Sequence, residues 1–421
     1  MVDTRRDFLK LFGAGVSGAV LQENLRPFNE TIKFLARSKA DDSEVFWKKV
    51  SKQFEFQQGL KYFNNGSLGA CPMPIREATN GFRKTLDNFP SKYMWGGWED
   101  EKEETRSQVA SVFNVSPEEI ALIHNTTEGM NLIARSFDLK EGDEVILGDH
   151  EHTSGSVCWK VFQESRGVKI VRPEMPLMPS DLEEIVEVYR KAITPQTKVI
   201  SMCHMVNTNG MILPVKAVSK MAHERGIFVA VDGAQSAGMI KIDLKDLGCD
   251  FYTASAHKWL FAPKGIGIFY AKESSQELLK PLIVCRGYQD TSIRRLENYN
   301  TRNLPELLGL GAAIEFHNGI GDQKIHDRTY ELKDYFISKV ADNPKLRLKT
   351  PSHDELSAGI QVVEVVGQKA NDVRNTLLDK YKIDCRPMNS FDLNALRISL
   401  AIFCTKKDVD KLFERLEQIS A

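Results

Sequence analysis

A carboxylate, an amide, a hydroxyl, an imidazole and an amine stand in two short runs of this chain. Asp232 and Gln235 follow the apolar run Phe228–Val231 as Asp-Gly-Ala-Gln, and Ser255, His257 and Lys258 follow Phe251–Thr253 as Ser-Ala-His-Lys. Apolar runs of this length, bounded by Gly, Pro and Asp, fit strands buried on both faces of a sheet. In open α/β sheets ligands bind at the carboxyl ends of such strands. Gathered there, these groups suit a molecule with a basic ring nitrogen, a phosphate and an aldehyde, which is the chemistry of pyridoxal 5′-phosphate (PLP). Lys258 would hold the aldehyde as a Schiff base, and Asp232 would keep the ring nitrogen protonated so that the ring draws electrons. A lysine alone carries no such meaning; the separation of Asp-x-x-Gln from Ser-x-His-Lys, on two strand ends, does.

The elements that must position these groups are legible around them. Ile120–His124 reads as a strand, and Thr126-Thr127-Glu128-Gly129 opens a helix whose free N–H groups and positive end make a phosphate site. Alone, that tetrapeptide is an ordinary capping box; beside Lys258 it reads as a phosphate cradle, with the hydroxyls of Thr126 and above all Thr127 available. Glu144–Leu147 is a strand leading into Asp149-His150-Glu151-His152. His124, His150 and His152 have neither a helical His-x-x-x-His spacing nor a cysteine partner, so no metal site is expected. Helical patterns cover 42–58, 75–86, 99–113, 180–192, 216–225, 305–316, 327–341, 371–380 and 406–419, and strand patterns 197–205, 360–365 and 397–401. Phe89–Trp98 reads as an aromatic loop.

Val-Asp-Gly-Ala-Gln followed by Asp-Phe-Tyr-Thr-Ala-Ser-Ala-His-Lys-Trp resembles the class V aminotransferase family over about residues 60–415. The resemblance implies an α/β protein of PLP-dependent transferase fold type I. A large domain with a mostly parallel sheet would span residues 60–295, and a smaller α/β domain residues 41–59 plus 296–421. It implies PLP as cofactor, with Gln235, Ser255 and His257 beside Lys258. His152 would stack on the ring, and Asn207 would bond the ring hydroxyl, unless it is only a turn residue before Gly210. Thr301 would reach the phosphate of a neighbouring subunit, making the protein a homodimer; Asn303 nearby also suits a helix cap. Arg397, in Leu-Arg-Ile-Ser-Leu, would grip the carboxylate of an amino-acid substrate, and freed Lys258 would act as general base. Tyr62–Pro74, with Asn65, would run past the substrate or be a plain turn.

Within the family the branch is set by what is missing. Cysteine desulfurases carry a catalytic cysteine between the small-domain strand and the carboxylate-binding arginine, but here Met-Asn-Ser-Phe-Asp-Leu-Asn-Ala-Leu separates Arg386-Pro387 from Arg397. Cys385 reads as structural. The short loop, Phe-Asn-Asn-Gly-Ser-Leu-Gly-Ala-Cys-Pro and the N-terminal leader resemble isopenicillin N epimerase-like proteins. The expectation is epimerisation or racemisation of an amino-acid centre, with C–S cleavage or transamination as the alternative. A cofactor-binding protein without turnover is the reading from another class, disfavoured by Lys258, Asp232 and Arg397 together.

The 421 residues are 42% hydrophobic and 27% charged, enough for two domains and a large core. Lys plus Arg (56) and Asp plus Glu (57) nearly cancel, leaving no electrostatic footprint for nucleic acid or an anionic membrane. Seven cysteines lie scattered without a Cys-x-x-Cys pair, so neither zinc nor a disulfide framework is indicated. Met1–Ala40 reads as a leader: Thr4-Arg5-Arg6-Asp7-Phe8-Leu9-Lys10 resembles the twin-arginine export motif, and Leu11–Leu21 is an apolar segment too short to span a bilayer. No Ala-x-Ala cleavage site follows. This implies the twin-arginine export machinery as a partner and a periplasmic location; an ordinary amphipathic helix would leave the protein cytoplasmic.

Overall fold

The computed structural model describes residues 25–38 and 41–420. In chain order the strands are β1 (Lys61–Tyr62), β2 (Ile120–Ile123), β3 (Glu144–Leu147), β4 (Lys169–Val171), β5 (Thr197–Cys203), β6 (Phe228–Asp232), β7 (Phe251–Ser255), β8 (Gly267–Ala271), β9 (Leu346–Leu348), β10 (Ile360–Val365), β11 (Ile383–Asp384), β12 (Arg386–Met388) and β13 (Ala395–Ser399). Seven of them form one sheet in the order β2-β8-β7-β6-β5-β3-β4. All neighbours in it run parallel except β8, which is antiparallel to both β2 and β7.

The sheet is buried on both faces, and the two-residue period of a strand shows which side chain goes where. Ile120, Leu122, Val229 and Val231 enter one apolar cluster, while Ala121, Ile123 and Ala230 enter the cluster on the opposite face. This is why β2, β6 and β7 read as continuous apolar runs rather than alternating ones. The polar residues Asp232 and Ser255 close their strands, and register aligns Cys203, Asp232 and Thr253 on adjacent strand ends.

A second, antiparallel sheet has the order β12-β13-β10-β9. The helices Asp322–Ala341, Ala370–Tyr381 and Lys406–Ser420 bury Leu332 and Phe336, Val373 and Leu377, and Val409 and Leu412. The larger apolar cluster runs without a break from the first sheet into these residues. The segment 61–70 stitches the halves together: β1 pairs with β11, and Ser399 N donates to Phe63 O at 2.8 Å.

Two boundaries expected from sequence shift. The helix Arg26–Arg37 lies inside the span assigned to the leader, yet Leu25, Phe28, Ile32 and Leu35 are buried in the main cluster, so the folded body includes residues before 41. Arg5, Arg6 and Leu11–Leu21 lie outside the described residues. The helix Leu304–Ile320, assigned to the smaller domain, packs instead on helices of the larger one. A Cβ at Gly309 would come 2.5 Å from Thr79 Oγ1 and one at Gly311 2.9 Å from Thr105 Oγ1, so bare glycines permit that close crossing. The aromatic loop contains a short helix, Pro90–Met94, and Asn303 stands at the N-cap of Leu304–Ile320 without a side-chain capping bond.

Candidate active site

The carboxyl ends of β5, β6 and β7 open into a cavity of about 260 Å³. Thr126, Thr127, His152, Asn207, Asp232, Gln235, Ser255, His257 and Lys258 all line it, brought together from five separate stretches of chain. Ser67, Ser154, Cys203 and Met205 line it as well, and none of these was singled out from sequence.

At one end sits the N-terminus of the helix Thr126–Ser136. Asn125 caps it, its Oδ1 accepting from Glu128 N at 3.0 Å. Thr126 N donates to Ser255 Oγ at 3.0 Å and the two hydroxyls lie 2.9 Å apart, which locks the helix start onto the end of β7. The approach is close because residue 129 is glycine: a Cβ there would overlap Thr253 Oγ1. Thr127 is left exposed in the cavity, and His257 Nδ1 is buried without a partner. Free helix N–H groups, hydroxyls and an unpartnered imidazole nitrogen are the donor set a phosphate needs. Burial, then the charge of Lys258, holds His257 down at about 4.

At the other end lies Asp232, 6% exposed, its Oδ1 accepting from Ala234 N at 2.9 Å. Burial raises its affinity for a proton, and Lys258 is the foremost opposing charge. Burial also pushes the Lys258 amine down to about 8 against the pull of Asp232. A buried carboxylate facing the cavity suits a cationic ring nitrogen. His152 caps the helix Thr153–Arg166, with Nδ1 accepting from Ser154 N at 3.2 Å, and burial, then Lys258, favours its neutral form. These residues fit PLP: an amine for its aldehyde, an acid for its ring nitrogen, an imidazole at the cavity wall, and a helix terminus for its phosphate.

The loop bearing Lys258 is held from behind. Gln235 donates from Nε2 to Gly66 O at 2.8 Å and accepts at Oε1 from Trp259 Nε1 at 2.9 Å, so its amide ties loops together as well as lining the cavity. Asn65, expected at the substrate, is fully buried; it donates to Lys258 O at 3.1 Å and accepts from Ala70 N at 3.1 Å. With both ends of its amide engaged, it positions the lysine loop rather than meeting substrate. Gly69 lies against the same loop, where a Cβ would overlap His257 O and Lys258 O.

Arg397 comes from the second sheet and is 1% exposed. Its Nη1 donates to Asn207 O at 2.9 Å and its Nη2 to Ser67 Oγ at 2.7 Å, while Nε is buried without a partner. Burial, then the nearby Arg386 charge, holds it down at about 9. Thr301 is exposed and does not line this cavity. His124 pairs with Glu128 at 2.7 Å, and His150 bonds Thr208 Oγ1 at 3.0 Å. The loop between β12 and β13 is tight, with Phe391, Asp392 and Asn394 at positive φ and the Phe391 ring centroid 3.9 Å from that of His150.

One half-buried acid, Glu151, stands in the Asp-His-Glu-His run after β3 but carries no role in the sequence reading. Glu151 accepts from Cys203 N at 2.7 Å, and its Oε2 is buried without a partner; burial, reinforced by Asp232, pushes it up to about 8. Nothing in the local sequence distinguishes it from a surface glutamate, because its burial comes from β5.

The class V aminotransferase profile matches residues 95–412. Isopenicillin N epimerase of Streptomyces clavuligerus is 29% identical over 391 residues, covering 89% of this chain and 98% of the relative. A probable cysteine desulfurase of Halalkalibacterium halodurans is 32% identical, covering 85% and 93%. Among solved structures, the cysteine desulfurase CsdA of Escherichia coli superposes with a TM-score of 0.76 at 25% identity, covering 88% of this chain and 97% of that one. The cystine C–S lyase C-DES superposes with a TM-score of 0.77 at 22% identity, covering 84% and 96%. With its sheet order, its cavity and the profile match agreeing, this chain belongs to the class V aminotransferase family of PLP-dependent, fold type I enzymes.

Proposed function

We propose that this enzyme moves the α-proton of an amino-acid substrate and inverts that centre, as an epimerase or racemase. The chemistry supplied by PLP when bound is an electron sink conjugated with the substrate α-carbon, which acidifies its proton. Arg397 would orient the substrate carboxylate, Asp232 would hold the proton of the ring nitrogen, and His152 would wall the cavity beside the cofactor. The Lys258 amine, held at about 8, exchanges a proton readily near neutral pH.

One observation carries this reading: the poised base beside the cavity is an amine, and no thiol there is poised as a nucleophile. Cys203 lines the cavity, but burial and Glu151 push its thiol well above the ordinary range. Burial likewise pushes Cys385 up to about 12, and residues 389–394 contain no cysteine. Both observations disfavour a reaction that needs a thiolate at either position. C–S bond cleavage without such a thiolate is the second reading, favoured by the desulfurase and C–S lyase names among the similar proteins.

Incubating the holoenzyme with single-enantiomer amino acids in deuterated water separates these. Deuterium gain with inversion supports the epimerase, pyruvate or another keto acid the lyase or aminotransferase, and no exchange with any substrate sinks all three. The twin-arginine reading of Thr4–Leu21 predicts export, which an Arg5→Lys, Arg6→Lys double variant abolishes. A homodimer in which Thr301 meets the neighbouring cofactor predicts that Thr301→Ala weakens PLP retention in the assembled protein.

A further inference from the structure

We propose that Arg386 is a second anion-binding group of this site, and that the substrate is an α-amino acid whose side chain carries its own negative charge close to the α-carbon. The proposal rests on Arg397 holding the substrate α-carboxylate. Arg386 on β12 stands directly opposite Arg397 on β13. Opposed residues of an antiparallel pair share a face, and like charges there are unfavourable. Both nevertheless point at one atom: Arg386 Nη1 donates to Ser67 Oγ at 3.2 Å, and Arg397 Nη2 to the same oxygen at 2.7 Å.

Neither guanidinium has a carboxylate partner among the described residues. The neighbouring acid, Asp384, is engaged by Asn64 Nδ2 at 3.2 Å and lies 3.9 Å from Arg374. Elsewhere in the fold deeply buried arginines are neutralised, Arg106 by Glu297 and Glu103, and Arg328 by Glu44 and Glu331. A single α-carboxylate answers one of the two charges at Ser67. Arg386 is exposed while Arg397 is buried, so a ligand held by Arg397 would reach Arg386 with the part nearer solvent. Two donors that each reach one oxygen are at most ~6 Å apart. That spacing matches two carboxylates on a short carbon chain, as in an aspartate- or glutamate-like amino acid, and excludes an anion at the end of a long one.

The test is equilibrium binding of succinate, glutarate and butyrate to the holoenzyme by calorimetry, with the visible band of the lysine-held cofactor recorded to verify an intact site. Wild type is expected to bind one of the dicarboxylates roughly tenfold or more tighter than butyrate, and Arg386→Gln to bring that ratio within about twofold. Arg386→Lys should keep part of the preference, since the charge remains while the fork is lost. Equal affinities in wild type overturn the proposal, as does an Arg386→Gln variant that weakens all three ligands alike. A different pattern exposes failure of the underlying reading: if Arg397→Gln binds every carboxylate as wild type does, Arg397 is not the carboxylate site and the substrate assignment falls with it.

Discussion

Two buried arginines show how differently this fold treats charge. Arg106 is enclosed at the junction of the helix Glu99–Val112 with β2, donating to Glu297 at 2.5 Å, to Glu103 at 3.1 Å and to Ile120 O at 2.8 Å. Burial works against its charge, but Glu297 and Glu103 together more than offset it, so Arg106 ends above its ordinary range. Arg397 is as deeply enclosed, yet its hydrogen bonds go to a carbonyl and a hydroxyl rather than to an acid, and burial, then the Arg386 charge, leaves it at about 9. A charge that burial disfavours and no acid compensates is one the fold holds ready for a ligand. Lys258 and Asp232 differ in facing each other, yet burial still leaves the amine low and the carboxyl high.

That contrast can be broken experimentally. Lys258→Ala should lower turnover by roughly 10⁴-fold or more and remove the visible cofactor band, while the unfolding midpoint of the apoprotein stays where it was or rises; a band that survives would move the cofactor elsewhere. Arg106→Leu leaves buried Glu297 with only Leu122 N at 3.1 Å and Arg302 at 3.4 Å, and should cost about 3 kcal/mol in denaturant unfolding. Arg397→Leu strands no acid, so its stability should lie within about 1 kcal/mol of wild type while substrate KM rises roughly 100-fold. Equal losses of stability in these two variants would erase the distinction drawn between them.

Glu151 gives a smaller effect, with a sign that follows from linkage. Its proton is held up to about 8 in the folded protein, whereas an unfolded glutamate releases it near ~4.3. Between those values the folded state binds the extra proton, so wild-type stability falls as pH rises through the window. Glu151→Gln keeps an acceptor for Cys203 N and cannot ionise. Its stability relative to wild type should therefore increase from pH 5 to pH 8, by no more than about 4 kcal/mol. A pH-independent difference would mean that Glu151 is already ionised and compensated.

Much of the cofactor end of this site was legible because its groups are local to their elements. Asp232 closes β6, Ser255 closes β7, and Thr126 follows an Asn125 cap, all within a few residues of an apolar run that announces a buried strand. The substrate end was less legible. Ser67 and Arg397 are 330 residues apart and Gln235 and Gly66 are 169 apart, so no window of sequence contains such a pair. The Gly-rich loop alone puts Asn65 near the substrate, but which way its amide faces depends on Lys258 O arriving from across the fold. The helix Arg26–Arg37 reads as part of the leader because its apolar stripe has meaning only against distant segments, Leu35 beside Gly319 and Phe34 stacked on Phe46.

By itself, the order of residues determined most strands of the large sheet, most of the longer helices and the groups placed at their ends, since these follow from hydrophobic period and capping chemistry within one turn or one strand; the helix Thr153–Arg166 and the short strands β4, β9, β11 and β12 carry no such signal. Tertiary structure decided which of those groups are paired and which are left waiting. Burial and compensation of charge depend on what packs over a side chain, and that arrives from distant segments: Glu297 for Arg106, β5 for Glu151, the hydroxyl of Ser67 for Arg386, and that hydroxyl with the carbonyl of Asn207 for Arg397.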